Sequence, residues 1–395
     1  MLALENIRIL DLAPLAPGAY CTMMLGDFGA EVIKVESLGP KFGGSYEDKA
    51  AAFYPLDRNK KSVALNLKSD AGREAFYRLA RKADVILEGF RPGVVKRLGI
   101  DYDTVRQMNP GIVYCSLSGY GQDGPYSQLP GHDINYISLA GVLGLIGPKD
   151  QAPVIPMNLV GDFAGASLFG VIGILTALMA RNQSGQGQYV DVSFTEGAFS
   201  LLTFLTQWYF QDGVVPKRGT TTVHGAYPYY GVYQTKDGKY ISIGCVEPHF
   251  WERLCRVIGR EDYIPYGVDM DHFVRAPEGE KWEEVGAYLR DTFLTKTRDE
   301  WFELLIQHDI PAGKVYSLDE VFTDPHMLHR QMVLELEHPE YGTVKQAGIA
   351  PKLSATPGTV RSFSPSMGEN TEEVLAELGY KKEELESLRQ EGVIR

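Results

Sequence analysis

The sequence predicts a doubly wound α/β core carrying a smaller α+β domain. Three observations predict it. Short apolar strands alternate with helical stretches through the first half of the chain. Crossovers of that length join parallel strands. A polar, Gly/Thr-rich stretch from residue 213 then changes the texture to hairpin and helices, and strand-like segments return after residue 326.

The elements follow in order. Residues 7–12 form a short apolar strand, Pro14 and Pro17 precede a helix over 18–28, and residues 31–36 form the second strand of a βαβ unit. The pattern recurs with a strand at 62–67, a helix at 70–82 capped by Ser69, and a strand at 84–88. Short helices at 93–98 and 103–108 lead to a strand at 111–117. The apolar run 164–180 contains Gly165, Gly170 and Gly173 and is slightly short for a membrane span, so it reads as a buried helix. A strand at 188–193 and a long helix through 198–209 complete this part.

Residues 1–212 are therefore expected to form a large domain, and 213–224 a linker. Residues 225–325 make the small domain, and 326–395 return to complete the large one. In the small domain, strands at 229–234 and 239–245 flank Lys236-Asp237-Gly238, a hairpin signal. Helices follow at 250–258, 282–294 and 298–308. The return segment has strands at 333–336 and 343–346 and ends in Gly368-Glu369-Asn370-Thr371-Glu372-Glu373-Val374-Leu375 and two short charged helices.

Composition narrows the function. The net charge is −12 and no Lys/Arg-rich run occurs, which argues against nucleic acid as a partner. That charge would also repel a polyanionic ligand at long range, so any such ligand needs local basic residues. Cys21, Cys115, Cys245 and Cys255 form no CxxC pair or metal-ligand pattern and read as buried thiols of a reducing cytoplasm. A strand starting almost at Met1 leaves no room for a signal or transit peptide, and no membrane association is expected. The first crossover, Leu12-Ala13-Pro14-Leu15-Ala16-Pro17-Gly18, lacks the G-x-G-x-x-G turn, so nicotinamide binding is not expected. His249 and the His326/His329 pair have no Cys or carboxylate constellation to complete a metal site.

The chemistry-bearing pair is His132 in Gly131-His132-Asp133-Ile134-Asn135-Tyr136 and Asp162 in Asn158-Leu159-Val160-Gly161-Asp162-Phe163. An imidazole and a carboxylate can carry protons on opposite faces of one carbon. These two segments resemble the alpha-methylacyl-CoA racemases, a branch of the class III CoA-transferase (CaiB/BaiF) family. Further markers lie along nearly the whole chain: Val32-Ile33-Lys34-Val35-Glu36, Arg58-Asn59-Lys60-Lys61-Ser62, Glu88-Gly89-Phe90-Arg91-Pro92-Gly93, Ser118-Gly119-Tyr120-Gly121, and the segment 368–375.

The resemblance implies a Rossmann-like large domain, an inserted small domain and an interlocked homodimer. It implies an acyl-CoA substrate, with CoA as part of that substrate and no separate cofactor. Two chemistries remain open. In a transferase, Asp162 would attack a thioester and carry acyl and CoA groups in turn. In a racemase, His132 and Asp162 would exchange an α-proton through an enolate. Gly244-Cys245-Val246-Glu247-Pro248-His249-Phe250 lacks the glycine run usual in the transferases, and this with His132 favours the racemase. A non-enzymatic acyl-CoA binder is the third class.

An aspartate near pKa 3.9 is a poor acid at neutral pH, so the racemase needs Asp162 raised by burial. Backbone amides at the start of the helix after Asp162 are candidate donors to the enolate, and Glu247 is placed to orient His132. Asp133 either bonds backbone or Tyr136, or assists catalysis. Gly119, Tyr120 and Gly121 either let pantetheine approach the backbone or form an ordinary turn. Lys34, Arg58, Lys61, Arg91 and Lys96 are the candidate phosphate cations, with Arg91 foremost. Tyr227, Tyr229 and Tyr230 line an acyl pocket or belong to the small-domain sheet.

Overall fold

The computed structural model describes residues 1–39, 48–267 and 279–395. Two compact units emerge. Residues 1–140, 157–201 and 325–395 form the first, and 141–156 with 202–324 form the second. Residues 141–156 and 202–212, placed in the large domain by the sequence, group with the second unit.

The first unit is built on six strands: β1 (Arg8–Asp11), β2 (Glu31–Glu36), β3 (Lys60–Ala64), β4 (Val85–Glu88), β5 (Val113–Ser118) and β6 (Tyr189–Ser193). Their order is β3-β2-β1-β4-β5-β6, and every pairing is parallel. The order reverses between β1 and β4, and open sheets of this kind bind ligands outside the carboxyl ends of the strands at such a point. Alternate residues feed two cores. Ile9, Val32 and Val85 pack with Cys21, Leu25 and Ile174 on one face. Leu10, Ile33 and Ile86 pack with Phe76, Leu79, Leu375 and Ile394 on the other. Burial on both faces explains why these strands read as continuous apolar runs.

The return segment closes the second core. The amide of Asn370 donates to the Ser62 carbonyl at 2.9 Å, and the amide of Asn66 donates to the Val393 carbonyl at 2.8 Å. The Leu65 amide still donates to the Glu36 carbonyl at 2.8 Å, but Leu65 then bridges Ile394 antiparallel, so β3 ends earlier than its apolar run suggests. Ser69 caps the helix Asp70–Ala80 through the Gly72 amide, as expected.

Two helices differ from expectation. The apolar run is a π-helical segment, Leu159–Leu168, continuing into an α-helix, Phe169–Ser184. It is not uniformly buried: Ile172 is 56% and Met179 67% exposed. By length and composition it is apolar enough to cross a bilayer, a test that core helices also pass. The helix expected over 198–209 is two helices, Phe194–Ser200 in the first unit and Thr203–Asp212 in the second.

In the second unit, β7 (Tyr230–Gln234) and β8 (Tyr240–Gly244) flank the expected turn, where Gly238 takes φ 75°. A third antiparallel strand, β9 (Ala312–Val315), pairs with β8. The core gathers Tyr229, Trp251, Tyr263, Leu289, Phe293 and Leu305. Back in the first unit, β10 (Val333–His338) and β11 (Gly342–Ala347) form a separate antiparallel pair.

Candidate active site

The site forms where β1, β4 and β5 end. Asp11, at the end of β1, does what a glycine turn does elsewhere. Its Oδ1 accepts from the Ala13 amide at 2.9 Å, and its Oδ2 from Thr22 Oγ1 at 2.6 Å and Lys60 Nζ at 3.1 Å. That fixes the Ala13–Pro17 loop against the cleft. A Cβ on Gly18 would lie 2.1 Å from Ala13 Cβ, so the helix can start only this close on a glycine.

After β5, the loop through residues 119–132 wraps Tyr136. A Cβ on Gly119 would come within 2.3 Å of that ring, and one on Gly131 within 2.6 Å. The Tyr136 hydroxyl donates to the Gly131 carbonyl, and the ring meets Tyr120 and Phe194 edge-on at 5.2 and 5.1 Å. This anchors the start of the helix Asp133–Leu139, which His132 caps. The His132 amide donates to Asn135 Oδ1 at 3.1 Å, leaving the imidazole exposed at the helix start.

Asp162 lies on the first turn of the π-helical segment. Asn158 Nδ2 donates to Asp162 Oδ2 at 3.1 Å. The segment is pressed against the helix Phe194–Ser200 through paired glycines. A Cβ on Gly197 would sit 1.9 Å from the Gly165 carbonyl oxygen, and one on Gly165 2.9 Å from the Phe194 carbonyl oxygen. Ser167 Oγ adds bonds to the carbonyls of Pro17, at 2.7 Å, and Asp162, at 3.0 Å. Asp133, buried beneath, accepts at Oδ2 from the amides of Gly161 and Asp162 at 2.7 and 2.8 Å. The amides of Gly161 and Asp162 are therefore already engaged. The first turn of the Asp133–Leu139 helix is the other helix start at this cleft.

His132 and Asp162 line one cleft of about 630 Å³, with Arg91, Gly119, Tyr120, Asn135 and Tyr136. Burial holds the Asp162 carboxyl above the ordinary aspartate range, and the like charge of Asp133 adds to this, against the pull of Asn158 and His132. Burial also pushes Tyr136 up to about 12, helped by Tyr120 and Asp162, so it stays a neutral hydroxyl.

A second cleft of about 1130 Å³ adjoins the first, sharing the Ala13–Ala16 loop and Phe90. Lys34, Lys68 and Arg97 line it. Three of the expected cations are placed otherwise. Arg58 is 2% exposed and grips Asp27, Gln346 and the Ala347 carbonyl, so it is a tie inside the unit. Lys61 faces the return segment, with Nζ 2.8 Å from Glu373, and lines neither cleft. Lys96 is exposed and lines neither. Lys34 does line this second cleft, but its Nζ pairs with Asp57 and lies 3.3 Å from Glu36. Arg91 is exposed at the Asp162 cleft and makes no ion pair among the described residues.

Sequence reasoning missed Lys68 and Arg97. Arg97 follows Lys96 on the helix Val94–Leu98, and one helical step of about 100° separates a residue that lines the cleft from one that does not. Gly121 does not line the cleft; it takes φ 89° in the turn beside Gln122. Glu247 belongs to the second unit, exposed at the start of the helix Pro248–Val257. Tyr227 and Tyr229 stack at 5.0 Å in that unit's core. Among the described residues no cluster of three His, Cys, Asp or Glu could hold a metal.

Comparison with known proteins places this geometry. The chain belongs to CoA-transferase family III, whose model matches residues 4–371. It is 35% identical over 396 residues to the alpha-methylacyl-CoA racemase of Homo sapiens, covering 100% of this chain and 98% of that protein. It is also 31% identical over 398 residues to the succinyl-CoA–D-citramalate CoA-transferase of Chloroflexus aurantiacus, covering 99% and 98%. A solved CAIB/BAIF family protein from Brucella suis superposes with TM-score 0.80 at 26% identity, over 95% of this chain and 99% of that one. The family is enzymatic and includes both racemases and CoA-transferases.

Proposed function

We propose that the protein is a cofactor-independent racemase interconverting the two enantiomers of a 2-methylacyl-CoA. One observation carries the reading: an imidazole and a carboxylate with raised proton affinity, His132 and Asp162, line one cleft. With neutral His132 taking the α-proton, protonated Asp162 delivers one to the opposite face; the other enantiomer reverses the roles. The raised proton affinity of Asp162 is what this chemistry requires, since an ordinary aspartate would be almost wholly ionised at neutral pH. The enolate oxygen would be met by the amides that open the Asp133–Leu139 helix. CoA would run along the adjoining cleft, its phosphates toward Arg97 and Lys68, with Arg91 nearer the thioester.

The site is proposed to act in a homodimer of the cytoplasm. The exposed apolar face of Phe169–Ser184, with Ile172 and Met179, supports a second copy as its cover. The alternative is a CoA-transferase in which Asp162 is the nucleophile; the transferases among the relatives favour keeping it. Incubation of one enantiomer of a 2-methylacyl-CoA in D2O separates the two. A racemase incorporates α-deuterium without a second acid and loses this in His132→Ala. A transferase does nothing until a free carboxylic acid is added, and tolerates His132→Ala better than Asp162→Ala.

A further inference from the structure

We propose that Asp133 is a positioning residue for Asp162: its buried carboxylate is fastened to the backbone amides of Gly161 and Asp162 and sets a like charge next to the proton carrier. The inference rests on Asp162 being that carrier.

The geometry is unusual in what it spends a carboxylate on. Asp133 is 5% exposed, and Oδ2 takes two backbone donors, Gly161 at 2.7 Å and Asp162 at 2.8 Å. Its Oδ1 is buried with no hydrogen-bond partner among the described residues. A buried anion is costly when it is not paired. No cation shares it: among the described residues Asp133 forms no ion pair. Gly161 is needed for the approach, because a Cβ there would lie 2.8 Å from Asp133 Oδ2. A neutral acceptor would satisfy the same two amides, so fastening the backbone does not by itself require a charge.

What the charge does follows from the surroundings of Asp162. From the Asp133–Leu139 helix, His132, Asp133 and Tyr136 face it. Its own segment offers Asn158, a neutral donor. Tyr20 of the helix Ala16–Asp27 packs on the neighbouring Phe163, rings 5.1 Å apart, and brings no charge. Glu196 of the helix Phe194–Ser200 lies 4.0 Å from a Cβ built on Gly121, beside another turn. Arg91, from the loop after β4, acts on Tyr136. Asp133 is thus the anion set against Asp162, and a like charge at short range keeps a proton on the partner. The raised proton affinity of Asp162, begun by burial, is extended by it.

The test is Asp133→Asn, which keeps an acceptor for both amides and removes the charge. The protein is labelled with 13C at aspartate carboxyls, and the Asp162 resonance is identified by its loss in Asp162→Asn. In Asp133→Asn the Asp162 midpoint should fall by roughly one pH unit, with the melting curve little changed. The rate in the direction in which Asp162 donates should fall roughly tenfold at constant KM, because less of it is protonated. Asp133→Glu, which keeps the charge on a longer arm, should hold the midpoint near that of the natural protein while lowering kcat. Asp133→Ser, a second uncharged acceptor, must repeat the downward shift if Asp133→Asn does not fold. An unmoved midpoint in a folded uncharged variant overturns the proposal and leaves Asp133 a backbone fastener only. If the natural protein incorporates no α-deuterium, the racemase reading fails, while the carboxyl titration still decides whether Asp133 governs Asp162.

Discussion

Arg58 and Asp27 form a two-pronged ion pair inside the first unit, Nε to Oδ1 at 3.0 Å and Nη2 to Oδ2 at 2.7 Å, with both side chains 2% exposed. The pair gathers Asn59, whose side-chain Nδ2 donates to Asp27 Oδ1 at 2.8 Å, and ties β11 to the sheet through the Ala347 carbonyl. Removing one partner leaves a buried charge alone, which costs about 3–5 kcal/mol. Arg58→Ala is therefore expected to lower the free energy of unfolding in urea by that amount, while the surviving folded fraction keeps its KM for acyl-CoA. A large KM change in a protein of normal stability would return Arg58 to the ligand.

Glu88 gives a pH-dependent stability. It is 1% exposed at the end of β4, accepts from the Phe90 amide at 2.7 Å, and faces Ser116 and Asp191 across neighbouring strands. Burial raises its carboxyl to about 7. The native state then holds a proton that the unfolded chain releases near pH 4.5, so this group's contribution is most favourable at low pH and is lost as pH rises through 7. Glu88→Gln should raise the melting temperature at pH 8 and have little effect at pH 5. The gain is bounded by about 3 kcal/mol. A variant equally stabilised at both pH values would show that the carboxyl is ionised throughout.

Arg97 tests the division of the ligand between the two clefts. It lines the larger one and Arg91 the smaller. Arg97→Ala should raise KM for acyl-CoA by the factor corresponding to about 1–3 kcal/mol, leave kcat nearly intact, and have no effect on a pantetheine thioester that lacks the phosphates. The same KM should climb with salt, since exposed charges are screened. Equal losses on both substrates would move the phosphate site away from Arg97.

The Gly165–Gly197 crossing sets the register of Asp162. A methyl on Gly197 has no space beside the Gly165 carbonyl oxygen, 1.9 Å away. Gly197→Ala should cost about 1–3 kcal/mol of stability and a larger share of kcat than of KM, because the helix bearing Asp162 must shift away. Kinetics and a denaturant melt on the same preparation check both halves of this expectation.

How much of this was legible in the sequence varies with the range of the interaction. Strand β9 was not, whereas the strands of the parallel sheet were, because double-faced burial writes continuous apolar runs such as Val85–Leu87. So were the Ser69 cap and the Gly238 turn, each decided within four residues. Which of Arg58, Asn59, Lys60 and Lys61 points inward was not. Asn59 takes φ 62°, and Arg58 and Lys60 are both buried while Lys61 lies on the flank. The π-helical geometry was also hidden, since Leu159–Leu168 has the same apolar texture as an α-helix. That Asp133 bonds backbone was among the readings left open, but the two amides it takes were hidden, since they lie 28 and 29 residues away, which no local pattern encodes.

The closing of the second core by Val374, Leu375, Leu385, Leu388, Val393 and Ile394 bears on biosynthesis. Those side chains cover Leu10, Ile33 and Ile86, strand residues made some three hundred positions earlier. A ribosome emits the six strands first and these covering residues later, with residues 202–324 of the second unit translated in between. One face of the nascent sheet must stay uncovered for that interval, which at elongation rates of about 5–20 residues per second lasts many seconds. The carboxyl-terminal helices thus act as a timer on maturation. A stalled or clipped chain would present a greasy parallel sheet to chaperones and proteases instead of a partly working enzyme.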